Sequence, residues 1–168
     1  MTQANRNLDT RIPVTGLWDA ALQAFLARFR VELEQSEYAD IRPTHGCVFR
    51  FVREDGMRLT RLAELAGITK QSAGEIVDDL AKRGYVERIP DPADKRAKLI
   101  TLTDRGREAQ ATGFGLFAEV ERRWIERYGA ERWEAMRDLL EAIVTAEAPA
   151  SVPELERQEL ADLNLQAA

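Results

Sequence analysis

The sequence predicts a mainly α fold with a small β-hairpin wing: a winged helix-turn-helix flanked by N- and C-terminal dimerisation helices. Three observations predict it. Residues 58–103 run a short amphipathic helix, a tight turn and a longer amphipathic helix into two alternating strands joined by a charged loop with two prolines. The stretches on either side repeat apolar residues at helical spacing. At 168 residues and 45% hydrophobic, without repeats or low-complexity segments, the chain suits one compact domain with its own core.

Taken in order, residues 1–14 are polar and predicted to fray. From Gly16 to about Glu37, Leu22, Phe25, Leu26, Phe29 and Leu33 follow helical spacing. Arg42-Pro43 breaks the chain, and Pro43, tolerated in a first turn, opens a second helix to about Arg53 with Val48, Phe51 and Val52 inward. Glu54-Asp55-Gly56 ends it.

The helix-turn-helix follows. Thr60 is read as the N-cap of a helix to Ala66, and Gly67 stops it. Thr69 caps a second helix reaching Arg83, with Gly84 at the C′ position. On that helix Ala73, Ile76, Val77 and Leu80 make the inward stripe, which leaves Gln71, Gly74, Glu75, Asp78 and Lys82 outward and Lys70 and Ser72 on the flanks. As a recognition helix it offers Gln71 to adenine, Ser72 to bases or phosphates and Glu75 to a cytosine amino group. Ser72 and Glu75 also have capping-box spacing, and the polar face is equally compatible with plain solvation.

Tyr85–Ile89 and Lys98–Leu102 alternate as half-buried strands do. Between them, PDPADKRA carries Lys95 and Arg96 near its tip, a wing that brings cations to the DNA backbone or minor groove. Asp94 is expected to hold the Arg96 guanidinium in place. Thr103 then caps a long helix with the apolar line Ala109, Leu116, Phe117, Val120, Trp124 and Tyr128, closed by Gly129. A last helix from about Glu131 to Ala146 is expected to bury Trp133, Met136, Leu140, Ile143 and Val144. A winged-helix core near residues 44–103 cannot cover helices at 15–40 and 104–147 as well. Their surplus apolar surface implies a partner, and a second copy is the economical one; a cap folded back within one chain is the alternative. Residues 148–168 carry a candidate short helix after Pro153 with no readable role.

The net charge is −5, which argues against a nonspecific nucleic-acid binder. The distribution argues otherwise. Residues 57–105 hold ten Lys/Arg against eight Asp/Glu, net +2, so the remainder carries −7. One cysteine and one histidine exclude an internal disulfide and a structural zinc site. No nucleophile–base set or phosphate loop suggests an enzyme, and no cofactor is expected. With neither a signal peptide nor an apolar run near 18 residues, a cytoplasmic protein without membrane partners is expected.

The string G-Y-V-E-R-I-P-D-P-A-D-K-R-A-K-L-I-T-L-T-D-R-G, within Leu62–Gly106, resembles the MarR family of bacterial transcriptional regulators. Members share its G-[LY]-V-x-R wing entry, D-x-R wing tip and L-T-x-x-G entry into the next helix. The motif covers about a quarter of the chain, and the helix order extends the likeness to residues of about 15–147. The resemblance implies a dimer joined through terminal helices, with Thr69, Lys70, Gln71, Ser72, Glu75, Lys95 and Arg96 on double-stranded DNA and Asp94 positioning the wing. Two recognition helices about 34 Å apart would require an inverted-repeat operator, and repression would follow by blocking polymerase. Many members carry Ser/Thr then Arg where this chain has Gly74-Glu75, so a relative's operator does not transfer. Gly74, Glu75 and the acidic total fit a second reading, a winged-helix protein-interaction module without DNA binding; Lys95-Arg96 speaks against it.

The resemblance further implies relief by a small aromatic or lipophilic effector, or by cysteine oxidation. Trp18, His45, Cys47 and Phe49 are the candidates. The residues themselves read more plainly: Trp18 and Phe49 as core, His45 as a helix-start histidine with an ordinary hydrogen bond, Cys47 as a buried inert thiol.

Overall fold

In the computed structural model, which describes residues 11–147, the chain runs α1 (Val14–Glu34), a 3-10 turn (Pro43–His45), α2 (Gly46–Phe51), β1 (Met57–Arg58), α3 (Leu59–Ala66), α4 (Lys70–Lys82), β2 (Val86–Pro90), β3 (Lys98–Leu102), α5 (Asp104–Tyr128) and α6 (Ala130–Glu147). The expectations for residues 1–10 and 148–168 lie outside the described residues. The mainly α class with a small antiparallel sheet is as the sequence predicts.

Glycines end both helices of the helix-turn-helix. Gly67 has φ +63° and Gly84 φ +79°. After α4 the Tyr85 N–H reaches the Leu80 carbonyl at 3.0 Å and the Gly84 N–H reaches Ala81 at 3.0 Å, so carbonyls that the helix end would orphan are satisfied. The Leu-Thr-x-x-Gly entry into α5 has a steric cause. Thr103 Oγ1 accepts the Gly106 N–H at 3.0 Å and donates to the Gly84 carbonyl at 2.6 Å. A Cβ on Gly106 would lie 2.0 Å from the Tyr85 carbonyl oxygen. Only glycine lets α5 start this close to the exit of α4.

The core sits in the winged-helix lobe. Val48, Val52, Leu62, Val77, Leu80 and Tyr85 have no exposure, and Ile100 closes the sheet side. Gln110 on α5 donates to the Phe49 and Val52 carbonyls at 2.6 and 3.3 Å, joining α5 to the end of α2.

Several boundaries differ from the sequence expectation. A third strand, β1, pairs antiparallel with β3 through Met57–Ile100 and Arg58–Leu99, giving sheet order β1-β3-β2; two residues are too few for a period-2 signal. Arg58, not Thr60, is the N-cap of α3, and no side chain caps that end. Helix α1 stops at Glu34 rather than Glu37, because Ser36 Oγ bonds the Leu33 carbonyl at 2.7 Å and takes the Tyr38 N–H, turning Tyr38 into the core. The helix read from Pro43 to Arg53 is a 3-10 turn followed by six α residues, with Val52 already extended. The largest departure is α6. Within the chain Trp133, Leu140, Ile143 and Val144 are only half-buried and Met136 is 41% exposed, so the predicted burial does not occur in a single copy.

Candidate nucleic-acid interface

Thr69 caps α4: its Oγ1 accepts the Ser72 N–H at 3.0 Å and lies 2.8 Å from Ser72 Oγ. The capping box read into Ser72 and Glu75 therefore does not form, because the N-cap, Thr69, lies three residues before Ser72. Ser72 is half-buried with its hydroxyl engaged at the cap, while Lys70, Gln71 and Glu75 stand exposed. Gln71 Nε2 donates to Glu75 Oε1 at 3.2 Å, so the two form one polar unit on the outward face. Asp78, on the same face, is taken by Arg88 of β2 at 2.6 Å. Gly74 has no steric duty: a Cβ there would meet only Leu59 Cδ2 at 3.8 Å, an ordinary contact.

In the wing, Asp94 accepts the Arg96 backbone N–H at 3.1 Å. The expected hold on the guanidinium is thus replaced by a hold on the loop backbone, as Asp does in a turn. The ion pairs sort the cations. Arg58, Arg61, Arg83 and Arg88 are paired with Asp91, Glu64, Asp79 and Asp78, and Arg105 donates to the Tyr85 hydroxyl. Among the described residues of this lobe, the side chains of Lys70, Lys82, Lys95, Arg96 and Lys98 carry no ion pair. They mark the start and end of α4 and the wing.

A polar network built on the buried His45 fixes the far end of α4. His45 Nδ1 accepts the Arg42 N–H at 3.1 Å, so the ring proton sits on Nε2 and points to Asp79 Oδ2 at 3.0 Å. Arg83 bridges Asp79 at 3.1 Å and Asp40 at 3.2 Å, and the Tyr85 hydroxyl donates to Asp40 at 2.6 Å. The Tyr85 and Arg83 hydrogen bonds hold the Asp40 and Asp79 carboxyls, respectively, below the usual range, and burial holds the His45 imidazole below 6.5. Sequence reasoning missed this network because the links that join its elements span 34 to 45 positions.

Of the effector candidates, His45, Cys47 and Phe49 share the 3-10 turn and α2, with Phe49 edge-on to Tyr85 at 5.9 Å. Trp18 stands 42% exposed on α1, and no hydrogen bond or ring contact joins it to the other three. Burial raises the Cys47 thiol, whose Sγ faces the Thr44 carbonyl at 3.4 Å, and a scarce thiolate suits an inert cysteine better than a redox sensor. A separate groove of about 390 Å³ lies between α1, α5 and α6, walled by Trp124, Tyr128, Trp133 and Met136. Trp124 is its hub, edge-on to Phe25 at 5.4 Å, Tyr128 at 6.0 Å and Trp133 at 6.1 Å. No helix of the described residues is long and apolar enough to cross a membrane.

Comparison with known proteins agrees with this geometry. Residues 39–97 match the family model described as MarR family. The transcriptional regulator HosA of Escherichia coli O111:H- is 28% identical over 113 residues, 67% of this chain and 84% of HosA. Wild-type apo MarR from E. coli superposes with a TM-score of 0.68 at 21% identity, over 80% of this chain and 98% of that one. CouR from Rhodococcus jostii RHA1, bound to p-coumaroyl-CoA, gives 0.65 at 23% identity over 82% and 94%. The transcriptional repressor CouR bound to a 23-mer DNA duplex gives 0.64 at 24% over 77% and 91%.

Proposed function

We propose that the chain is a MarR-family transcriptional regulator with a DNA-binding winged-helix fold, and that it works as a homodimeric repressor of an inverted-repeat operator, relieved by a small aromatic or lipophilic effector. Residues 44–103 form the DNA-binding lobe in this reading, and residues 15–40 and 104–147 the dimerisation helices. The observation that carries it is the set of unpaired cations: Lys70 and Lys82 bracket the face bearing Gln71 and Glu75, and Lys95 and Arg96 stand on the wing. The cations neutralise phosphate and set register, while Gln71 and Glu75 read base edges. Thr69 and Ser72 fix the helix N-terminus against the backbone, and Asp94 shapes the wing tip. CouR, solved on a 23-mer duplex, lends the fold precedent.

Support for the dimer comes from exposed apolar side chains on the terminal helices, among them Leu22, Val31, Phe114 and Leu139. Two copies related by a twofold axis present two α4 helices about 34 Å apart, roughly 10 bp centre to centre. Selection of bound sequences from a random duplex pool at near-physiological salt tests the whole reading. An enriched inverted repeat with that spacing is expected; no enrichment by folded, dimeric protein overturns it in favour of an interaction module.

For the effector, the aromatic groove beside Trp124 and Trp133 supports a flat lipophilic ligand, and CouR holds p-coumaroyl-CoA. Trp18, Cys47 and Phe49 remain candidates, and His45 is the weakest because both its ring nitrogens are engaged. Titrating p-coumaroyl-CoA and simple phenolic acids against tryptophan fluorescence, with and without operator, checks this. Linkage requires operator to weaken effector binding by the factor by which effector weakens operator binding. Equal effector affinity in both states rules out relief.

A further inference from the structure

An ion pair ties the loop of the wing to the start of α3. Arg58 ends β1 and is also the N-cap of α3, with φ −69° and ψ 141°. Its side chain crosses 33 positions of sequence to Asp91, placing Nε 2.7 Å and Nη2 2.6 Å from Oδ2. Asp91 is 5% exposed, one of three buried polar or charged residues among those described. Its Oδ1 accepts the Ala93 N–H at 2.8 Å. The Asp91 backbone also closes the loop, donating to the Ala97 carbonyl at 3.1 Å and accepting the Asp94 N–H at 3.2 Å. One carboxylate thus organises the whole turn from which Lys95 and Arg96 project.

Arg88 of β2 also reaches Asp78 of α4 at 2.6 Å, but from mid-strand and not from the loop that bears the cations. β1 contributes two residues to the sheet, so its ladder alone holds the hairpin loosely against α3. An ion pair with a half-exposed arginine adds little to global stability. Two guanidinium N–H groups converging on one buried oxygen do fix a direction, which is a geometric task. Because Arg58 supplies the backbone start of α3, that direction is set relative to the helix-turn-helix itself.

We propose that the Arg58–Asp91 pair is a positioning device for DNA binding: it locks the wing to the first helix of the helix-turn-helix, so that Lys95 and Arg96 meet the backbone in register with α4. This rests on the reading of the protein as a DNA-binding regulator. Neither residue touches DNA in this scheme; both act through the wing.

The test uses the full chain, with Asp91→Asn and Arg58→Gln made alone and together with Arg96→Ala. Binding is measured by fluorescence anisotropy on the selected operator and on an unrelated duplex across a salt series. Each clamp variant is expected to weaken binding to both duplexes by about fivefold to thirtyfold at 0.15 M salt, the equivalent of one or two phosphate contacts, and to flatten the salt slope by about 1 to 2. Added to Arg96→Ala, it is expected to cost clearly less than it does alone, because the Arg96 contact is already gone and only that of Lys95 is left to lose. Full affinity in folded Asp91→Asn overturns the proposal. A loss that simply adds to that of Arg96→Ala, with an unchanged salt slope, overturns it too and makes the pair structural. Should Arg58→Gln fail to fold, Arg58→Lys keeps a cation over the buried carboxylate and is read by the same slope and the same pairing with Arg96→Ala. Wild-type protein that binds neither duplex would sink the parent reading instead.

Discussion

The winged-helix lobe and the terminal helices bury their apolar residues to opposite degrees. In the lobe, helices of 6 to 13 residues and three short strands leave Leu62, Val77, Leu80 and Tyr85 without exposure. In the 21-residue α1 only Leu33 is buried, and the 18-residue α6 has no buried residue among those described. Length therefore does not measure burial here. The lobe closes its core within one chain, whereas α1 and α6 present a face that the described residues leave uncovered.

The contrast can be broken at several points. Leu80→Ala in the lobe should cost about 2–5 kcal/mol, because a fully buried leucine leaves a cavity that its neighbours fill poorly; denaturant unfolding measures it, and a loss under about 1 kcal/mol would mean the lobe core is loosely packed. Leu22→Glu with Leu139→Glu should leave lobe unfolding unchanged, since those side chains are 54% and 58% exposed, yet yield monomers in sedimentation. Dimers surviving both changes would place the interface elsewhere. Trp124 is a poorer probe: its three ring contacts belong to the chain's own packing.

Smaller effects sharpen the comparison inside the lobe. Gln71→Ala should cost about 1–3 kcal/mol on the preferred operator and little on unrelated DNA. Arg96→Ala should weaken binding to every duplex by about fivefold and lower the salt slope by about 1; a sequence-dependent loss would turn the wing into a base reader. The smallest effect concerns pH. Burial holds His45 below its ordinary 6.5, so between the folded and unfolded values the unfolded chain binds the extra proton. Stability is then complete above about 6.5 and falls as the pH drops below it. His45→Gln should flatten that limb, and an unchanged limb would assign it to other groups. Asp40, Asp79 and Asp91 add a second loss only below their ordinary 3.8.

Much of the scaffold was legible because its signals are local. Thr69 and Gly84 act within four residues of themselves, Thr103 caps α5 through Gly106 three residues on, and the stripe of Ala73, Val77 and Leu80 is a matter of helical period. Some local readings still failed, two of them at helix starts. Thr60 is a good cap residue one position inside α3, and Ser72 with Glu75 has box spacing inside a helix that Thr69 had already started. Propensity names suitable residues, but the first backbone turn decides which of them is used. The candidate DNA face was legible as residue types; which charges on it are free was not, because Arg58, Arg83 and Arg88 find acids 10 to 43 positions away.

By itself the sequence determined the order of helices, the two glycine stops, the wing and the outward face of α4, since each follows from steric and periodic rules acting over a few residues. Only the tertiary structure decided that β1 joins the sheet, that Asp91 is buried under Arg58, that His45 serves Asp79, and that α6 is left uncovered. Those outcomes depend on which distant surfaces meet, and an ion pair or a burial belongs to the meeting, not to either partner alone.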